Sequence, residues 1–111
     1  MTRTLLCALA GAGLLAAAPG AWALDADAAQ ALARQNNCFK CHSVDKKKDG
    51  PSFKESAAKF KGKADAVDRI SKHLTSGEKA KFPDGHEEEH KVIKAKDPAE
   101  VKNLAEWILA Q

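Results

Sequence analysis

The sequence predicts an all-α domain of about four short helices. Apolar residues recur at three- and four-residue spacing in several segments, and most of those segments open on a capping residue. No stretch shows convincing period-two alternation of apolar and polar residues, so no strand is expected.

Asp25 or Asp27 can cap an alanine-rich first helix that ends near Asn36-Asn37, residues that tolerate left-handed backbone. Lys46-Lys47-Lys48-Asp49-Gly50-Pro51 reads as a solvated loop, because Pro51 keeps its predecessor out of helical backbone. Phe53, Ala57 and Phe60 form one face of a short second helix. Asp65, with Asp68 in the capping-box position, starts a third helix whose apolar positions are Val67, Ile70 and Leu74, and Gly77 ends it. The last helix begins with Asp97 as cap, Pro98 in the first turn and Glu100 completing the box. Val101, Leu104, Ala105, Ile108 and Leu109 make its buried stripe.

Residues 1–23 precede all of this. They carry Arg3, an apolar run from Leu5 to Ala18, and the small-x-small site Ala21-Trp22-Ala23. That is the pattern of a cleaved export signal, with no stop-transfer pattern behind it and hence no membrane anchor in the mature chain. Cys7 leaves with it. Cleavage gives a mature domain of 24–111, 88 residues with 17 Lys+Arg and 15 Asp+Glu. One domain of that size has a marginal core of its own.

The chemistry is concentrated in Cys38-Phe39-Lys40-Cys41-His42. C-x-x-C-H is the attachment sequence for c-type haem. The two thiols add across the vinyl groups as thioethers, and the adjoining histidine lies under the iron as its proximal ligand. Two other readings of the cysteines exist. In an oxidising compartment they can form a disulfide, and with His42 and a later histidine they can hold zinc. A redox-active C-x-x-C would sit in a βαβ context, which this chain lacks.

Gly50-Pro51-Ser52-Phe53, Ala57-Ala58-Lys59-Phe60, Arg69-Ile70 and Leu104-Ala105-Glu106-Trp107-Ile108-Leu109 extend the pattern beyond the haem motif. With them the mature chain resembles the small bacterial class I c-type cytochromes. The resemblance implies first and last helices crossing beside one covalently attached haem c. It implies Cys38 and Cys41 as thioether residues and His42 as proximal iron ligand. The Pro51 carbonyl then accepts a hydrogen bond from His42 Nδ1. Such a bond to a ligand's far nitrogen fixes the ring and raises its basicity.

The departure from that family lies on the distal side. Typical members present a methionine from a proline-rich loop before the last helix, whereas the single methionine here is Met1. The corresponding segment reads Phe82-Pro83-Asp84-Gly85-His86-Glu87-Glu88-Glu89-His90. Register from Trp107 and the apolar pair Val92-Ile93 favour His90 as distal ligand. His86, one helical turn earlier, is the alternative, and His73 on the third helix reads as a surface histidine. His86 to His90 also spells H-E-x-x-H, the zinc helix of metalloproteases, but a chain this short has no room for the long helix, third ligand and cleft such an enzyme needs. The acidic triplet reads as the face of a solvated loop.

Residues 38–81 hold 12 basic and 6 acidic residues, while 82–111 hold 4 and 7. A lysine excess next to the haem motif can steer an acidic redox partner or simply keep the surface soluble. An export signal without a recognition motif argues against nucleic acid. The sequence thus points to a periplasmic monohaem electron carrier, a monomer or weak oligomer and not an enzyme. The rival is a haem-based sensor or small redox enzyme whose distal site is open or displaceable.

Overall fold

The structure, a computed structural model, describes residues 23–111. The leader expected over 1–23, except its last residue, lies outside them. Four α-helices follow in order: α1 (Ala26–Gln35), α2 (Phe53–Phe60), α3 (Ala66–Thr75) and α4 (Pro98–Leu109). A 3₁₀ turn, Cys38–Lys40, separates α1 from α2, and a two-stranded antiparallel hairpin, β1 (Lys79–Lys81) with β2 (Glu87–Glu89), separates α3 from α4.

Three of the four helices start where a side chain satisfies a free backbone N–H group. Asp25 accepts from Ala28 N and Asp97 from Glu100 N. Ser52 and Glu55 form a complete capping box on α2, Ser52 Oγ accepting from Glu55 N while Glu55 Oε2 accepts from Ser52 N at 2.7 Å. The carboxylate of Glu55 is held below its usual range, first by the bond from the Ser52 backbone N–H. Two capping expectations need correction. Asp65 makes no side-chain cap bond at α3. Glu100 reaches Lys96 N and not the cap residue itself, which ties down the chain one residue before the cap.

α4 is the hub of the packing, with α1, α2 and α3 all against it. Leu104 and Ala105 are almost wholly buried, with Trp107 and Ile108 beside them. They meet Ala29, Leu32 and Ala33 of α1, Phe53 of α2, and Ile70 and Leu74 of α3. Val101 and Leu109 lie only at the margin of this core, and Trp107 takes the place expected of them, its indole edge-on to Phe53 at 5.4 Å. Asn103 of α4 bonds to both the N–H and the carbonyl of Asp25, closing the two helices at the chain's start.

The all-α class holds, with four helices and little sheet, and the hairpin corrects two finer expectations, that no strand forms and that 86–90 is a loop. Its cross-strand partners are Lys79 with Glu89, Ala80 with Glu88, and Lys81 with Glu87. Opposite charges facing one another stabilise a ladder by a few tenths of a kcal/mol per pair, so this strand pair forms with almost no apolar alternation.

Candidate functional site

Asn37 turns the chain out of α1 through left-handed backbone, φ 56°. The 3₁₀ turn that follows brings the Cys38 carbonyl to Cys41 N at 3.2 Å and to His42 N at 2.9 Å. Cys38 and Cys41 therefore stand one tight turn apart. Both are half-buried and unbonded to each other. Burial pushes the Cys38 thiol up, while the nearby Lys91 ammonium draws it down.

His42 is fixed from three sides. Its Nδ1 lies 2.7 Å from the Pro51 carbonyl, to which the protonated nitrogen donates. Its ring stacks on Phe53 with centroids 5.4 Å apart and planes 22° from parallel. Below the ring is Gly50, where a Cβ would stand 2.8 Å from Nδ1, so only a glycine lets the loop pass this close. Gly50 N donates to the Cys41 carbonyl at 2.8 Å, and the lysine loop is drawn in by Lys48 Nζ, which donates to the Phe39 carbonyl. With Nδ1 committed, the lone pair stays on Nε2, the nitrogen left for a metal.

His90 faces this ring, with centroids 6.2 Å apart and planes 50° from parallel. Two imidazoles bound to one iron at about 2.0 Å, each ring centre about 1.1 Å behind its ligating nitrogen, place their centroids roughly 6 Å apart. The observed gap matches that span. His90 Nδ1 is 3.0 Å from the Lys91 carbonyl, so the distal ring repeats the proximal arrangement with Nε2 again uncommitted. Burial, helped by the neighbouring His73, pushes the His90 pKa down from the ordinary histidine value and so favours the neutral ring.

The other two histidines are placed differently. His86 stacks on Phe82 at the hairpin end, its Nδ1 bonded to Asp84 and its Nε2 3.2 Å from Glu88. Both nitrogens are thus taken by carboxylates, with Asp84 the larger influence, and its pKa is raised. His73 bonds through Nδ1 to Glu78 Oε1 at 2.6 Å and lies 4.1 Å, centroid to centroid, from His90. H-E-x-x-H falls across β2 and not on a helix, so the metalloprotease arrangement is not formed. Among the described residues no three His, Cys, Asp or Glu side chains converge to hold a metal ion, which leaves the zinc reading of the cysteines without support.

The family model for cytochrome c matches residues 26–111. This chain belongs to the cytochrome c family. The cytochrome is 36% identical to cytochrome c-551 of Stutzerimonas stutzeri over 99% of this chain and 98% of that one. It is 34% identical to cytochrome c-551 of Pseudomonas aeruginosa over 96% and 94%. The crystal structure of the class 1 cytochrome MtoD from Sideroxydans lithotrophicus ES-1 superposes with a TM-score of 0.76 at 65% identity, covering 79% of this cytochrome and 97% of that chain. Nitrosomonas europaea cytochrome c552 matches at 0.58 and 34% identity, over 72% and 95%. Family membership brings one covalently bound haem c per chain, in keeping with the Cys38–His42 motif. Among the described residues no helix is long and apolar enough to cross a membrane.

Three contributors escape the sequence reading. Phe53, assigned only to a helix face, is the plate under His42. Glu78 carries no motif at all, yet its side chain holds His73 and its carbonyl accepts from His90 N at 2.9 Å. Asn36, buried at the end of α1, pairs with Lys94 through both halves of its amide, Nδ2 to the Lys94 carbonyl at 3.1 Å and Oδ1 from Lys94 N at 2.8 Å. That pair joins the chain before Cys38 to the chain after His90.

Proposed function

We propose that this cytochrome is a periplasmic monohaem electron carrier with His42 as proximal and His90 as distal iron ligand. The observation that carries the reading is the matched pair of imidazoles 6.2 Å apart, each tied at Nδ1 to a backbone carbonyl. The haem, held through Cys38 and Cys41, supplies the one-electron Fe(III)/Fe(II) couple. Pro51 and Lys91 set the tautomer of each ligand, Phe53 and Gly50 fix the proximal plane, and burial favours the neutral His90 ring that can bind. Two neutral nitrogen donors of equal type favour low spin in both oxidation states, so little has to move when an electron arrives. The export signal read over residues 1–23 supports the compartment.

An absorption spectrum of purified protein, oxidised and reduced, tests the ligands. A low-spin ferric spectrum without the weak far-red band of iron–methionine bonding is expected. A high-spin ferric spectrum would point instead to an open distal site and the ligand-binding sensor. The intact mass tests export, and should equal the chain from Leu24 plus one haem; a mass that includes residues 1–23 from exported material would overturn the cleavage site.

The partner we propose is an acidic protein. The His42 side of the molecule opens on a cavity of about 420 Å³ walled by Phe39, Ser43 and Lys46, Lys47 and Lys48. All three lysines keep their charge there; Lys48 is held by the Phe39 carbonyl, while Lys46 and Lys47 have no such tie and are the ones to reverse. Lys46→Glu with Lys47→Glu should slow electron transfer to an acidic partner about tenfold at low ionic strength. The wild-type rate should fall as salt brings the Debye length to about 10 Å or less. Stopped-flow mixing at several salt concentrations checks both; a salt-independent wild-type rate would remove the steering role.

A further inference from the structure

His73 is on α3, Glu78 just beyond it and His90 at the end of the hairpin, and the three meet in one contact. The His73 ring lies 4.1 Å from the His90 ring with planes 41° from parallel. Its Nδ1 is anchored on Glu78 Oε1 at 2.6 Å, and the Glu78 carbonyl accepts the His90 backbone N–H at 2.9 Å. Glu78 thus holds the His73 ring with its side chain and the His90 backbone with its carbonyl. A histidine on iron is free to rotate about its metal–nitrogen bond unless neighbours prevent it. The Nδ1 bond to the Lys91 carbonyl constrains that rotation from the edge, and His73 blocks it from the face.

We propose that His73, anchored by Glu78, is a positioning residue that fixes the rotation of His90 and so the 50° angle between the two ligand planes. The proposal rests on the ligand assignment made above. The partners of metal-bound histidines typically change metal affinity 10–100-fold when removed, and they act without touching the metal. The Lys91 carbonyl holds the bonded position toward His90, and His73 is the neighbour that packs on the face of the same ring.

The angle between two axial imidazole planes is read by the g-tensor anisotropy of the low-spin ferric protein. The hold on His90 is read by how readily added imidazole displaces it. His73→Ala holoprotein should remain low-spin, show a shifted g tensor, and bind external imidazole about 10–100-fold more tightly than wild type. Glu78→Gln keeps an acceptor for His73 Nδ1 and should stay close to wild type in both readouts. His73→Phe fills the same space with an unanchored ring; it should fold normally yet still move the g tensor. His86→Ala, on the same hairpin, should change neither.

Wild-type g values and imidazole affinity in both His73→Ala and His73→Phe would overturn the positioning role while leaving His90 as ligand. A high-spin spectrum in His73→Ala would make His73 itself the ligand and overturn the assignment of His90. A high-spin ferric spectrum in the wild-type protein would overturn both.

Discussion

Replacing His90 with alanine should convert the ferric protein from low-spin to high-spin and open the iron to added imidazole or cyanide. Nothing else in the distal segment offers a free imidazole nitrogen of the right reach, since both nitrogens of His86 are bonded to carboxylates. His73 is close enough to be drawn in, so the same measurement is made on His90→Ala with His73→Ala, where the high-spin state should be complete. The potential should follow. A thioether raises the midpoint relative to an imidazole. His90→Met should therefore move it upward by a few tenths of a volt, within the roughly 0.8 V range that axial ligands command. A low-spin spectrum that survives in the double variant would show that the sixth ligand is not a histidine from this cluster.

Cys38→Ala together with Cys41→Ala should release all haem into acid acetone and leave a chain that melts far below the wild type. The core without haem is small. Besides four alanines it rests on Leu32, Phe53, Ile70, Leu74, Ile93, Leu104, Trp107 and Ile108. Phe39 and Val44 pack only at its edge, on the side where the haem attaches. A domain of under a hundred residues has little stability to spare. Losing a permanently attached apolar group should cost on the order of several kcal/mol, a large part of the total. Calorimetry and intact mass check the two halves of this expectation, and a double variant that keeps its haem through acid acetone would overturn the thioether assignment.

What could be read in the sequence was whatever local chemistry dictates. C-x-x-C-H needs no partner elsewhere in the chain to be recognised, and Asp25 and Asp97 cap the helices they precede. The Ser52–Glu55 box is equally local, its S-x-x-E spelled directly after Pro51. The hairpin was not legible, because only Ala80 of the two strands is even half-buried, and the pairing sets lysine opposite glutamate. Period-two patterning records burial, and here there is almost none to record. Register favoured His90 over His86, but the physical difference between them lies in side chains: Asp84 and Glu88 occupy one ring, and a single carbonyl leaves the other half free. Glu78 and Asn36 act across the fold, Asn36 reaching 58 residues along the chain, and no spacing rule announces such a pair.

The Asn36–Lys94 pair also bears on what can reach the iron. For the segment after His90 to swing away, Asn36 must release Lys94; its Nδ2 keeps the Leu32 carbonyl, but its buried Oδ1 loses its partner, which costs about 1–3 kcal/mol. A cost of that size thins the population of opened molecules by about 5- to 150-fold. With His90 on the iron as proposed, a small molecule that needs its place would have to wait for that opening, whereas an electron would not. One buried side chain would then set how rarely matter reaches the metal while leaving charge free to pass.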